Sequence, residues 1–143
     1  MSAVIVDIAK AVMTELDAGE FSMEFTPERA YSVRKPLEGA GTLKVLVAHR
    51  GYDGEPLNKS TSTNEYQIDI GIIQHPANVA VATLDALMAL VEGIVDFFKM
   101  RHLTEYTSAL CLKWENSRPY EPDVLEEKRT FLSIVTLTFQ VLR

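Results

Sequence analysis

Residues Tyr66 to Gln74 read YQIDIGIIQ. Tyr66, Ile68, Ile70 and Ile72 fall on one side of an extended chain, and Gln67, Asp69 and Gly71 fall on the other. Alternation of this regularity marks a strand with one buried face. Such a strand needs neighbours at its edges and an apolar layer over its isoleucines.

Two helical stripes can supply that layer. Between Ser2 and about Asp17, residues Ile5, Ile8, Ala9, Val12 and Leu16 recur at helical spacing, while Asp7, Lys10, Thr14 and Glu15 point elsewhere. Ser2 is the expected cap and Gly19 the expected stop. The second stripe runs from Thr83 to Met100 through Leu84, Leu87, Met88, Val91, Ile94, Val95 and Phe98. Thr83 is the expected N-cap, Asp85 suits the first turn, and Lys99 and Arg101 suit the C-terminal end.

Further strands are expected at Leu43–His49, at Ser108–Trp114 and at Thr130–Leu142. In the second of these, Leu110, Leu112 and Trp114 alternate with Ala109, Cys111 and Lys113; in the third, Phe131, Val135, Leu137, Phe139 and Val141 share a face. Phe21–Arg34 carries Pro27 and reads as an edge or broken strand, followed by a loop holding Pro36, Gly39 and Gly41. The stretch from Arg50 to Asn64, RGYDGEPLNKSTSTN, has turn chemistry throughout and reads as an extended hairpin loop. The expected architecture is one α+β domain over residues 1–143: two layers, with a mainly antiparallel sheet and both amphipathic helices on one face.

The net charge of −6 argues against tight nucleic-acid binding, which draws on Lys and Arg neutralising phosphates. Cys111 is the single cysteine and lies in an apolar run, so a buried structural thiol is expected, and a cysteine zinc cluster is excluded. The N-terminal stretch lacks the basic n-region of a signal peptide, and no apolar run is long enough to span a bilayer. A reducing cytoplasm, or a particle assembled there, is the expected setting.

Chemistry is hard to place. His49, His75 and His102 have no ligand spacing and are expected at element ends. No phosphate loop, dinucleotide fingerprint or nucleophile elbow occurs. Glu121, Asp123, Glu126 and Glu127 sit in a proline-bounded loop, where carboxylates are solvated, with Asp123 placed to cap a short helical turn. Tyr52, Tyr66, Tyr106, Tyr120 and Trp114 lack the flanking cations of a stacking platform, and Tyr66 and Trp114 are expected in the core. No catalytic residue, cofactor or metal ligand is therefore expected. What stands out is a long polar segment between strands and a large share of strand, the features of an assembly module.

The chain resembles the tail terminator (tail completion) proteins of tailed bacteriophages and prophages. The resemblance rests on IVDIAKAVMTELDAGEFS, FTPERAYSVRKPLEGAGTLKVLVAHRG, YQIDIGIIQ, LDALMALVEGIVDFFKMRHL and EEKRTFLSIVTLTFQV, which span nearly the whole chain. It implies a subunit that forms a hexameric ring at the head-proximal end of the tail tube, stops tube polymerisation and presents the head-tail joining surface. Copies of itself, the tube protein and a neck or connector protein are the implied partners. The implied location is the virion tail, assembled in the host cytoplasm, with DNA passing an acidic ring without sticking. A neck or head-tail stopper protein, or another minor tail protein, is the near alternative. A small α+β enzyme or ligand-binding domain is the distant one, and it requires a pocket with convergent polar groups. Within the Arg50–Asn64 loop, Arg50, Tyr52, Lys59 and Asn64 are the expected partner contacts.

Overall fold

A computed structural model describes residues 3–32, 43–74, 80–116, 120–123, 125 and 130–143. The elements, in chain order, are α1 (Val4–Ala18), β1 (Pro27–Ala30), β2 (Leu43–Pro56), β3 (Ser62–Gln74), α2 (Val81–Phe98), β4 (Leu110–Glu115) and β5 (Phe131–Leu142). Several expectations lie outside the described residues: the Ser2 cap, the loop with Pro36, Gly39 and Gly41, His75, and Glu126 and Glu127.

The strands form one sheet in the order β1-β2-β3-β5-β4. β2, β3, β5 and β4 pair antiparallel in sequence, and β1 pairs parallel to β2. The sheet is therefore mixed, with the parallel pair at one edge. β1 opens on Pro27, which has no N–H to offer the ladder and is tolerated at the first residue of an edge strand.

Both helices pack on one face, as expected. Ile8, Val12 and Leu16 of α1 and Leu87, Leu90, Val91, Ile94 and Phe98 of α2 share one core with Val45, Val47, Ile68, Ile70, Ile72, Val135, Leu137 and Phe139 of the sheet. Full burial of each large aliphatic side chain is worth about 1.5–3 kcal/mol. The sheet's other face carries a smaller buried cluster of Leu46, Ala48, Ile73 and Leu132.

α1 ends where Gly19 donates its N–H to the Glu15 and Leu16 carbonyls. A Cβ on Gly19 would lie 2.7 Å from the Phe21 ring, which is wedged against Phe97 with centroids 5.1 Å apart. Glycine there lets the chain fold back over the end of α2. α2 begins two residues before the expected cap. The Ala80 carbonyl accepts the Thr83 and Leu84 N–H groups, so Thr83 lies inside the first turn. At the other end, Arg101 N–H bonds to the Phe98 carbonyl and Met100 has φ 56°, the geometry of a type II turn. Arg101 Nε also donates to the Phe97 carbonyl at 2.9 Å, meeting the expectation of a cation at this helix end.

Three further expectations are corrected. Glu15 does not face solvent: it is 5% exposed, and its carboxylate accepts the Thr104 N–H and pairs with Arg101 at 3.3 Å. Trp114 is not core. A register shift between Cys111 and Lys113 puts Ala109 and Cys111 inside, and it leaves Trp114 37% exposed at the rim with the Lys99 ammonium 5.6 Å from its ring centroid. The Arg50–Asn64 segment is not an extended loop, because β2 and β3 stay paired out to Pro56 and Ser62.

Candidate partner-contact surface

Beyond His49 the sheet becomes an arm. A register shift between His49 and Gly51 inserts Arg50 as an extra residue in β2. The shift inverts the side-chain parity. Before it, odd-numbered Val45 and Val47 face the helices; after it, Tyr52 lies opposite Tyr66 on that same face. From Tyr52 to Pro56, β2 is exposed throughout. The alternation of β2 therefore stops looking like a half-buried strand at the point where the strand leaves the core.

The arm is ordered by hydrogen bonds more than by burial. β5 follows β3 to its first residues, with Leu142 opposite Thr63, and Ser62 and Arg143 exchange two backbone hydrogen bonds. The tip is held by one side chain: Asn58 Oδ1 accepts the Ser60 N–H at 2.9 Å, the Thr61 N–H at 2.9 Å and the Ser60 hydroxyl at 3.1 Å. This is Asx chemistry, and it shortens the true turn to residues 57–61.

The four expected contact residues lie along this arm in different settings. Arg50 is bound within its own sheet: its guanidinium donates to Thr136 Oγ1 at 3.3 Å, Thr136 donates to Asp69 at 2.7 Å, and Arg50 and Asp69 stand 3.6 Å apart. Asn64 is also engaged, donating to the Ser62 hydroxyl at 3.0 Å. Tyr52 is 68% exposed and stacks on buried Tyr66 with centroids 5.3 Å apart. Lys59 is exposed at the tip. Tyr52 and Lys59 are thus presented outward, whereas Arg50 and Asn64 stiffen the element that presents them.

Three features were not foreseen. Arg143 donates to the Tyr66 hydroxyl at 3.2 Å, and that bond is the chief reason the arginine holds its proton more tightly than usual. Asp53 faces Glu65 directly across the strand pair, with Glu55 two pairs further out, so three carboxylates share one face of the arm. They line a shallow cleft of about 160 Å³. Lys113 approaches Glu65 at 3.7 Å. The last feature, at the base of the arm, is the exposed ring of Tyr31 packed edge-on against His49 at 4.5 Å. Alternation and charge both hinted at the carboxylate face, but only a known register could align it.

A cleft of about 710 Å³ beneath the end of α1 is lined by Phe21, Met23 and Phe25, and its rim carboxylates Asp17, Glu20 and Glu24 are exposed. Acid-base chemistry calls for a sheltered carboxyl. Cys111 is fully buried, and desolvation pushes its thiol up to about 12, out of the reactive range. The Glu15 carboxylate has a shifted affinity for its proton. Burial raises it, but the hydrogen bonds from Thr104 and the charge of Arg101 outweigh that and hold it below its ordinary value. His102 Nδ1 donates to the Thr107 carbonyl, 2.9 Å away, beside its bridge to Leu110. Among the described residues no group of three or more His, Cys, Asp or Glu side chains is placed to hold a metal ion, and no helix is long and apolar enough to cross a membrane.

No protein-family profile and no curated protein matches the chain by sequence. Solved structures do match it. One is the sheath/tube terminator of an extracellular contractile injection system, PVC, in its extended state. It is 10% identical, with a TM-score of 0.50, and the match covers all of this chain and 58% of that one. The chain therefore spans a little over half the length of that protein. At this identity the likeness establishes the fold: the chain shares the fold of that sheath/tube terminator, in agreement with the resemblance carried by its sequence segments.

Proposed function

We propose that this chain is a structural component of a phage-tail-like particle, in which it forms a ring that caps the tail tube. The observation that carries this reading is the match of the entire chain to the fold of a sheath/tube terminator. A hexameric ring that ends tube polymerisation and presents the surface for joining tail to head is the specific form we infer. Tube protein and a neck or connector protein are the partners it implies, and the virion tail is the location.

The arm supports the reading physically. A closed ring is a heterologous assembly, in which each subunit needs two different surfaces, one to give and one to receive. An arm that leaves the core, is stiffened by three strands and presents Tyr52 and Lys59 is suited to giving. The acidic balance of the chain, −6, suits a channel that DNA crosses without adhering.

The test is polymerisation of purified tube protein with and without this chain. The proposal expects tubes of limited length with a ring of density at one end. Replacing Glu55–Thr63 by an Asn-Gly turn shortens the arm at the Gly54–Asn64 pair, and that variant is expected to fold and to cap poorly. Tubes of unchanged length with the full chain contradict the reading.

A further inference from the structure

The base of the arm holds an unusual trio. Arg29 lies beside Val47 in the β1–β2 register, and Tyr31 follows it at the end of β1. The Arg29 guanidinium carbon stands 5.5 Å from the centroid of the Tyr31 ring, and the His49 ring meets the same tyrosine edge-on at 4.5 Å. Nη1 of Arg29 and Nδ1 of His49 are both shielded from solvent, and among the described residues neither has a hydrogen-bond partner. Buried polar nitrogens are nearly always paired, so two orphans beside one ring need an explanation. Their common neighbour is the Tyr31 ring, itself 73% exposed. A guanidinium and an imidazole beside an exposed aromatic ring make a receptor for a carboxylate.

The chain also carries the complementary surface. Asp53 and Glu65 stand directly opposite each other on the arm with Glu55 next to them, an arrangement of like charges that weakens the strand pair it sits on. Lys113 serves Glu65, and among the described residues no ion pair serves Asp53 or Glu55. The two surfaces face opposite sides of the sheet. Arg29 and His49 are in register with helix-side residues Val47 and Ile68, whereas Asp53 and Glu55 lie on the side away from Tyr52 and Tyr66. One chain cannot bring them together. Two chains can, and because giver and receiver differ, the contact repeats in one direction and closes into a ring or extends as a filament.

We propose that Arg29, Tyr31 and His49 form the docking site for the arm of a second copy of this chain, with Asp53 and Glu55 supplying the carboxylates. The inference rests on the ring reading and names the pair of surfaces that closes the ring.

Charge reversal tests it by sedimentation of the full chain over rising concentration. The wild type is expected to self-associate, with an affinity that falls as salt rises. Arg29→Glu alone, and Asp53→Lys with Glu55→Lys alone, are each expected to weaken association on the order of a hundredfold, because like charges then meet. An equimolar mixture of the two variants is expected to recover it, since every junction of an alternating ring pairs opposite charges again. A misfolded variant cannot produce that recovery. Tyr31→Ala, a change at an exposed ring, is a second check and is expected to weaken association without changing thermal stability. Variants that associate like the wild type, or a mixture that fails to recover, overturn the pairing and leave the capping reading standing. A wild-type chain that stays monomeric also overturns the pairing, and tube-length measurements then judge the capping reading separately.

Discussion

β2, β3 and β5 each run through two environments. In the body, their alternate residues Val45, Val47, Ile68, Ile70, Ile72, Val135 and Leu137 are fully buried under α1 and α2. In the arm, the same strands carry Tyr52, Asp53, Glu55, Thr63 and Glu65, and β2 is exposed from Tyr52 onward. The backbone ladder is continuous across the boundary, but burial is not. The body is stabilised by packing, as a domain of this size requires. The arm is maintained by cross-strand hydrogen bonds, the Asn58 turn and the β5 flank. An element that contributes so little burial is the one we propose works outside the subunit.

The contrast can be broken or sharpened by substitution, beginning in the body. Phe98 is fully buried and meets Phe97 edge-on at 5.1 Å, so Phe98→Ala is expected to lower unfolding free energy by about 4 kcal/mol in a denaturant titration. Glu15→Ala comes next, at about 2 kcal/mol, because it strands the Thr104 N–H and removes the partner of Arg101.

The same glutamate gives the body a pH signature. Its folded-state affinity for a proton lies below the ordinary value of 4.5, so its contribution is fully present above pH 4.5 and is lost as pH falls through the lower folded value. In Glu15→Gln, stability is expected to fall less steeply below pH 4.5 than in the wild type, as read from melting temperature against pH.

Effects shrink on entering the arm. Arg50→Ala loses its contacts with Asp69 and Thr136, but the Arg50 side chain is 57% exposed, so about 0.5 kcal/mol is expected. Lys59→Ala at the tip is expected to leave stability within about 0.5 kcal/mol of the wild type. If Lys59→Ala or Tyr52→Ala lowered stability as much as Glu15→Ala, the arm would be part of the core and the distinction would fail.

Much of the body was legible in the sequence. The Tyr66–Ile72 alternation, the stripe through Leu84–Phe98 and the face of β5 all read correctly, because in each the apolar period matches the period of the element it forms. The arm was not legible. At Arg50 the bulge inverts the pattern, and beyond it no helix demands apolar residues, so polar strand looked like polar loop. A second shift near Leu112 hid the inward face of β4 in the same way and misplaced Trp114. Glu15 was misread because its partner Arg101 lies 86 residues away, a distance that local periodicity cannot register. Of the contact surface, the residue types at Tyr52 and Lys59 could be singled out, but the alignment of Asp53 with Glu65 and of Arg29 with His49 depends on register alone.

Amide hydrogen exchange on the free chain and on the chain bound at tube ends compares body and arm in one experiment. The central claim, that the arm works by contact between chains, predicts that amides of α1, α2 and the helix-covered strands are slow in both states. Those from Tyr52 to Glu55 should exchange quickly in the free chain and become protected on assembly. Unchanged exchange across Tyr52 to Glu55, with protection appearing elsewhere or nowhere, would contradict it.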